Sequence, residues 1–331
     1  GYEIDYPVVL DIAAELGGGC GSSSWCYSIW ASHNWLVGMY PEKAQEEYWA
    51  DSADVLSSTS FNPTRAKVTP AKGGYKLSGR WDFSSGCDAA EWAMLGGVAA
   101  EGLRWFLVPR RDYTIEDTWF VSGLRGTGSK DIVIEEAFIP EYRAVNVADL
   151  RAGQSPGRSI HGSCNYLIPH TTMLSYTLAA PVLGMAQGAV DTFEEQVMGR
   201  VTYTTGDKLG ENPSVHIRLS EAEAEVHCAR LIMKYDGEEV FGQARRGEMP
   251  SLSQRARCRR NQAYMAKLAV RAVDRLFEAS GGHVLFNSNP MQRFHRDAHA
   301  ASHHFGIHWE TQAEEYGRVR LGLELKNPGR I

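Results

Sequence analysis

Between positions 7 and 49 the apolar residues recur three and four apart, the spacing of one face of a helix. Val8, Val9, Ile12, Ala13 and Leu16 mark a first helix, ended by Gly17-Gly18-Gly19. Ser22-Ser23-Ser24 is expected to cap a second helix carrying Trp25, Ile29, Trp30, Leu36 and Val37, and Pro41 opens a third. The period changes between 68 and 147 to short β-rich runs separated by glycine turns. Helical patterns return after Arg151, over 171–198, 214–246 and 252–280, with 295–309 read as one more helix.

The order is helical, β, helical, with no repeat and no βαβ alternation, which removes Rossmann and TIM-barrel readings. The expected class is multi-layer α+β. Residues 1–62 form an N-terminal helical domain, 63–150 a central antiparallel β-barrel or sandwich, and 151–331 a C-terminal antiparallel helical bundle.

The formal net charge of −6 offers no basic field for a polyphosphate strand, so no nucleic-acid partner is expected. Arg255, Arg257, Arg259 and Arg260 sit among helix formers and read as a solvated helix face. The six cysteines include no C-x-x-C pair, which fits reduced thiols in a cytoplasm. No apolar run approaches the ~20 residues of a bilayer span, so no membrane is expected. Gly1-Tyr2-Glu3-Ile4-Asp5 lacks the features of a signal peptide, and the chain reads as starting mid-domain.

Candidate chemistry concentrates in a few places. The segment 75–88 reads as strand, tight turn, strand, ending in aromatics and hydroxyls that could hold a heteroaromatic ring or simply form a hairpin. Leu124-Arg125-Gly126-Thr127-Gly128-Ser129 lacks the G-x-x-x-x-G-K pattern and reads as a glycine turn rather than a phosphate loop. His295, His299 and His303 stand four apart, with His304 and His308 as a second such pair. Two histidines so spaced can share a metal, but Asp297 points off the stripe and no H-E-x-x-H occurs, so no metal is expected in the site. His33, between Trp30 and Trp35, is either a satisfied core residue or a polar group in an aromatic pocket.

Several strings together resemble the acyl-CoA dehydrogenase superfamily, and within it the two-component, reduced-flavin-dependent monooxygenases. They are His33-Asn34-Trp35, Gly79-Arg80-Trp81-Asp82-Phe83-Ser84-Ser85-Gly86-Cys87-Asp88, Gly123 through Ser129, Gly184-Met185-Ala186-Gln187, and Arg293-Phe294-His295-Arg296-Asp297-Ala298-His299-Ala300. The resemblance spans essentially the whole chain and implies a helical domain, a central β-barrel and a C-terminal four-helix bundle. A dehydrogenase of this superfamily needs a glutamate at one of two places. Alignment puts Phe305 at the first and Leu174 at the second, and neither can take a proton.

The resemblance therefore implies an oxygenase component that uses reduced FMN or FAD and O2, through a C4a-hydroperoxyflavin, to hydroxylate an aromatic or heteroaromatic small molecule. A separate NAD(P)H:flavin reductase would supply the reduced flavin, and the oxygenase would be a homotetramer. The resemblance assigns catalytic roles to His304, Ser84 and His33. Flavin contacts fall to Ser84, Ser85, Phe83, Trp81, Ser58, Gly281 and Gly282. Substrate contacts fall to His33, Thr59, Trp30, Phe61 and Tyr166. Thr59 stands where relatives often carry serine, and Glu278 where dehydrogenases carry a glutamine. The competing readings are an acyl-CoA dehydrogenase or oxidase with its base elsewhere, a catalytically silent binding protein that kept the fold and, third, a metal enzyme.

Overall fold

The computed structural model describes residues 3–201 and 206–331. Gly1 and Tyr2, included in the expected 1–62 domain, lie outside the described residues. The chain opens with helices α1 (Tyr6–Gly19), α2 (Gly21–Val37) and α3 (Glu42–Tyr48). Strands β1 (Ser57–Ser60), β2 (Ala66–Ala71), β3 (Gly74–Ser84), β4 (Trp92–Ala99), β5 (Gly102–Pro109), β6 (Thr114–Glu116), β7 (Lys130–Pro140) and β8 (Ala144–Asn146) follow. Helices α4 (Val147–Arg151), α5 (His170–Met173), α6 (Tyr176–Met198), α7 (Pro213–Arg245), α8 (Leu252–Ala279), α9 (Pro290–Ser302) and α10 (Trp309–Arg320) complete the chain.

The face of α1 that is buried is Val9, Leu10, Ala13, Ala14 and Gly17, whereas Val8, Ile12 and Leu16 of the expected stripe are exposed. Close contact with α6 selects the small residues. A Cβ on Gly17 would stand 2.7 Å from the Pro181 carbonyl oxygen, and one on Gly184 only 2.0 Å from that of Ala14. The three serines at 22–24 do not cap α2, which starts one residue earlier at Gly21; Ser24 instead donates to the Ala13 carbonyl and ties α2 to α1.

The β layer is not a closed barrel. Two four-stranded sheets, ordered β1-β4-β5-β8 and β2-β3-β7-β6, enclose a core that includes Leu77, Trp81, Leu95, Phe106 and Ile132. Their pairings are antiparallel except that β1 runs parallel to β4. Alternation along each strand specifies an inward face but not which edges join, and the edge strands β6 and β8, three residues each, offer too short a ladder to close the sheet.

Helix α6 is the hub of the helical layer and packs against α1, α2, α7, α8 and α9. Its surroundings explain its composition. The stretch His170–Met198 is long and apolar enough to cross a membrane, yet most of it is buried inside the protein. The helix expected over 295–309 breaks after Ser302; His303 caps it, Phe305–Ile307 is a single 3-10 turn, and α10 starts at Trp309. His304 and His308 therefore share no helix face.

Candidate active site

Strand β3 ends with an irregular register between Trp81 and Ser84, where Phe83 takes φ of 62°. This kink leaves the Phe83 ring exposed, edge-on to Trp119 at 5.9 Å, and turns Ser84 inward. Ser84 is fully buried, and its Oγ has no hydrogen-bond partner among the described residues. Its neighbour is fully engaged. Ser85 Oγ accepts from Trp25 Nε1 at 3.1 Å and pairs with Ser129 Oγ at 2.8 Å, which in turn meets Thr127 Oγ1 at 2.7 Å.

The 122–129 turn is pinned from the other side by α9. Asp297 Oδ1 accepts the Leu124 backbone N–H at 2.7 Å, and Arg296 donates to the Ser122 carbonyl at 2.9 Å. Leu124 is held at φ of 53°, a conformation that the buried carboxylate contact stabilises. Helix α9 then delivers His304 just past its end. The Gly306 backbone N–H donates to His304 Nδ1 at 3.0 Å, so the neutral ring carries its proton on Nε2. Burial, with Arg259 adding a smaller push, lowers the His304 pKa to about 4. The ring lies 5.8 Å from Trp25 and stacks on Phe305 at 4.6 Å.

His33 lies on the same face of α2 as Trp25 and Ile29, eight residues and about 12 Å along the helix from Trp25. It is buried, and its Nδ1 stands 2.5 Å from the Ser57 carbonyl oxygen. A carbonyl can only accept, so Nδ1 carries the proton and Nε2 keeps its lone pair. Burial lowers this pKa too, to about 4. Phe61 sits 6.4 Å from His33 and stacks on Trp105 at 3.8 Å; Trp105 meets the buried His170 edge-on. Ser58 Oγ is buried without a partner among the described residues.

The structure places the expected substrate residues in separate groups. His33 faces Phe61, while Trp30 and Tyr166 line a cavity of about 300 Å3 with Tyr6, Tyr27 and Trp35. The Thr59 hydroxyl is already bound to the Met94 carbonyl at 2.8 Å. Trp81 also departs from expectation: strand alternation places it in the β core, fully buried, with its N–H on the Gly96 carbonyl. Gly281, at φ of 70°, and Gly282 follow the C-terminus of α8, where Arg200 donates to the Ser280 carbonyl.

Two contributors escaped the sequence reading. Trp25 looked like one more apolar helix residue. Arg259 was read as solvated, but it is buried and donates to Ser175 Oγ and Gln262 Oε1. Residues two apart project about 200° apart on a helix, so four arginines at 255, 257, 259 and 260 cannot share one solvated face. Arg257 pairs with Asp236 and Glu239, and Arg260 lies over Tyr316.

The orphaned Ser84 and Ser58 hydroxyls fit the polar edge of a flavin ring system, and the exposed Phe83 ring is free to meet its flat face. Known proteins point the same way. A family profile described as "Acyl-CoA dehydrogenase, C-terminal domain" matches residues 176–309. The chain is 35% identical to the flavin-dependent monooxygenase oxygenase subunit HsaA of Rhodococcus jostii, over 98% of this chain and 86% of that protein. It is 33% identical to the oxygenase component of the FADH(2)-dependent resorcinol hydroxylase of Rhizobium sp., over 97% and 82%. Its fold superposes on the crystal structure of 3-HSA hydroxylase from Rhodococcus sp. RHA1 with a TM-score of 0.95 and 34% identity, covering 100% of this chain and 86% of that one.

Proposed function

Because the chain belongs to the oxygenase components of two-component flavin-dependent monooxygenases, within the acyl-CoA dehydrogenase superfamily, we propose that Ser84, His304 and His33 form its hydroxylation site. The protein is an oxidoreductase that uses reduced flavin and O2 to hydroxylate an aromatic small molecule. A separate reductase supplies the flavin. The carrying observation is the pair of tautomers: His304 presents an Nε2–H donor and His33 an Nε2 acceptor, both neutral at pH 7.

When bound, reduced flavin activates O2 and supplies the oxygen atom transferred to the ring. Ser84 Oγ, with no partner among the described residues, would hydrogen-bond the polar edge of the flavin, and Phe83 and Ser58 would flank it. The Trp25–Ser85–Ser129–Thr127 chain holds the turn next to Ser84 so that its hydroxyl is placed before the flavin arrives. His304 Nε2–H donates where negative charge develops on oxygen. His33 Nε2 accepts the hydrogen bond of a phenolic O–H and orients the ring, with Phe61 as an apolar wall. Burial of His33 and partial burial of His304 limit water at the reacting atoms.

FADH2 in the names of two relatives, the resorcinol hydroxylase and a solved XiaF complex, supports FAD as the nucleotide form, with Gly281 and Gly282 contacting the nucleotide end. The 1–62, 63–150 and 151–331 division, with a four-helix bundle in the last part, is retained as the domain reading. Exposed Ile217, Leu231, Leu285 and Phe286 support assembly into a homotetramer, which we place in the cytoplasm. The test is to supply purified protein with chemically reduced FAD, O2 and a panel of phenols. Hydroxylated product formed without added reductase enzyme supports the assignment; peroxide alone across the panel, with no reduced-flavin binding, contradicts it.

A further inference from the structure

Helices α8 and α9 bring together three side chains that the reaction does not use. Asp274 of α8 places one carboxylate oxygen, Oδ1, 2.7 Å from His299 Nε2 and 3.3 Å from His295 Nε2. The two imidazoles stand four residues apart on α9, with ring centres 4.5 Å apart, and all three ligand atoms lie within 4.8 Å of one another. His295 is further held by stacking on Phe277, one turn beyond Asp274 on α8, at 4.1 Å. The histidine stripe was legible in the sequence; its carboxylate was not, because it comes from a neighbouring helix rather than from Asp297.

We propose that Asp274, His295 and His299 form a Zn2+-class divalent metal site that clips α8 to α9. Tetrahedral zinc bound at about 2.0–2.1 Å sets its ligand atoms about 3.3 Å apart, the observed Asp274–His295 spacing; the 2.7 Å Asp274–His299 pair, here a hydrogen bond, opens by about half an ångström to take the ion. Two imidazole nitrogens and one carboxylate oxygen select a borderline first-row cation over Ca2+ or Mg2+, which take oxygen ligands. Each ring binds through Nε2 and keeps its proton on Nδ1. All three side chains are partly exposed, so ions can enter and water completes the coordination. The site is independent of the flavin reading. Its structural consequence is to fix α9, which carries Asp297 and leads directly to His304.

The test titrates the chelator-treated, full-length protein with Zn2+ and, as a spectroscopic probe, with Co2+. The expected result is saturation at one equivalent per chain, with visible Co2+ ligand-field bands of tetrahedral intensity. His299→Ala and Asp274→Asn should each weaken binding at least tenfold and abolish the Zn2+-dependent rise in Tm. These side chains are partly exposed, so both variants should fold, and an unchanged near-UV dichroism spectrum checks that. Absence of saturable binding, or the same affinity in both variants, overturns the proposal.

Discussion

His33, buried, and His304, partly buried, are held as opposite tautomers: the Ser57 carbonyl fixes the proton of His33 on Nδ1, and the Gly306 N–H fixes that of His304 on Nε2. One imidazole is thus left as an acceptor and the other as a donor, so their substitutions should fail differently. His304→Ala removes a donor aimed at developing charge and should lower hydroxylated product per flavin oxidised by roughly 10²-fold, with peroxide rising to match. Product and peroxide assays on the same samples check it.

His33→Ala should leave reduced-flavin binding unchanged and lose phenol orientation. The expected outcome is normal flavin affinity with product yield reduced roughly 10-fold or more, and little gain from raised substrate concentration. Flavin titration beside product analysis separates the two effects.

Trp25→Phe removes the N–H that Ser85 accepts and, the phenyl ring being smaller than the indole, opens space at a buried position, so the loss of the hydrogen bond sets a lower bound on the effect. Stability should fall by at least about 1 kcal/mol, the net worth of one hydrogen bond, read by urea denaturation. Coupling should fall as well, because the hydroxyl chain that holds the turn beside Ser84 loses its anchor on α2.

Two buried histidines and the partly buried His304 set a pH dependence. Burial lowers His33 and His304 to about 4 and His170 to about 3, each from 6.5. Between those values the unfolded chain binds protons that the native state refuses. Stability is therefore full above pH 6.5 and lost as pH falls toward 4, by on the order of a few kcal/mol per histidine. Tm measured from pH 7.5 down to 4.5 should fall monotonically, and His170→Phe should flatten the slope.

Gly184→Ala should destabilise by about 1–3 kcal/mol or more, since its Cβ would meet the Ala14 carbonyl oxygen at 2.0 Å. Gly199→Ala, with nothing within 4 Å, is the control and should be near neutral. Thermal denaturation of the pair checks the packing of α1 on α6.

What the sequence revealed follows from periodicity and from side-chain chemistry. Helical and β blocks were legible because 3.6 and 2 residue periods survive in one dimension. The Val8, Ile12 and Leu16 stripe misled because close helix contact favours the small residues Ala13, Ala14 and Gly17 over larger apolar ones. Ser84 and the two imidazoles were visible as chemistry-bearing residues in distinctive strings. Arg259, Trp25 and the division between His33 and Trp30 were not, because burial and hydrogen-bond partners arise from long-range packing. His304 could be named as a residue near the site, but its tautomer depends on a backbone N–H two residues on, in a turn that the pattern read as helix.

The central claim is that an unpartnered Ser84 hydroxyl and the His304 donor let this protein spend reduced flavin on ring hydroxylation. The most direct measurement is a single turnover: protein loaded anaerobically with reduced FAD, mixed with oxygenated buffer and a phenol, with hydroxylated product and peroxide both quantified. Wild type should yield mostly product, and Ser84→Ala and His304→Ala mostly peroxide. A wild type that releases only peroxide, or that holds oxidised flavin bleached by an acyl-CoA, would contradict the account.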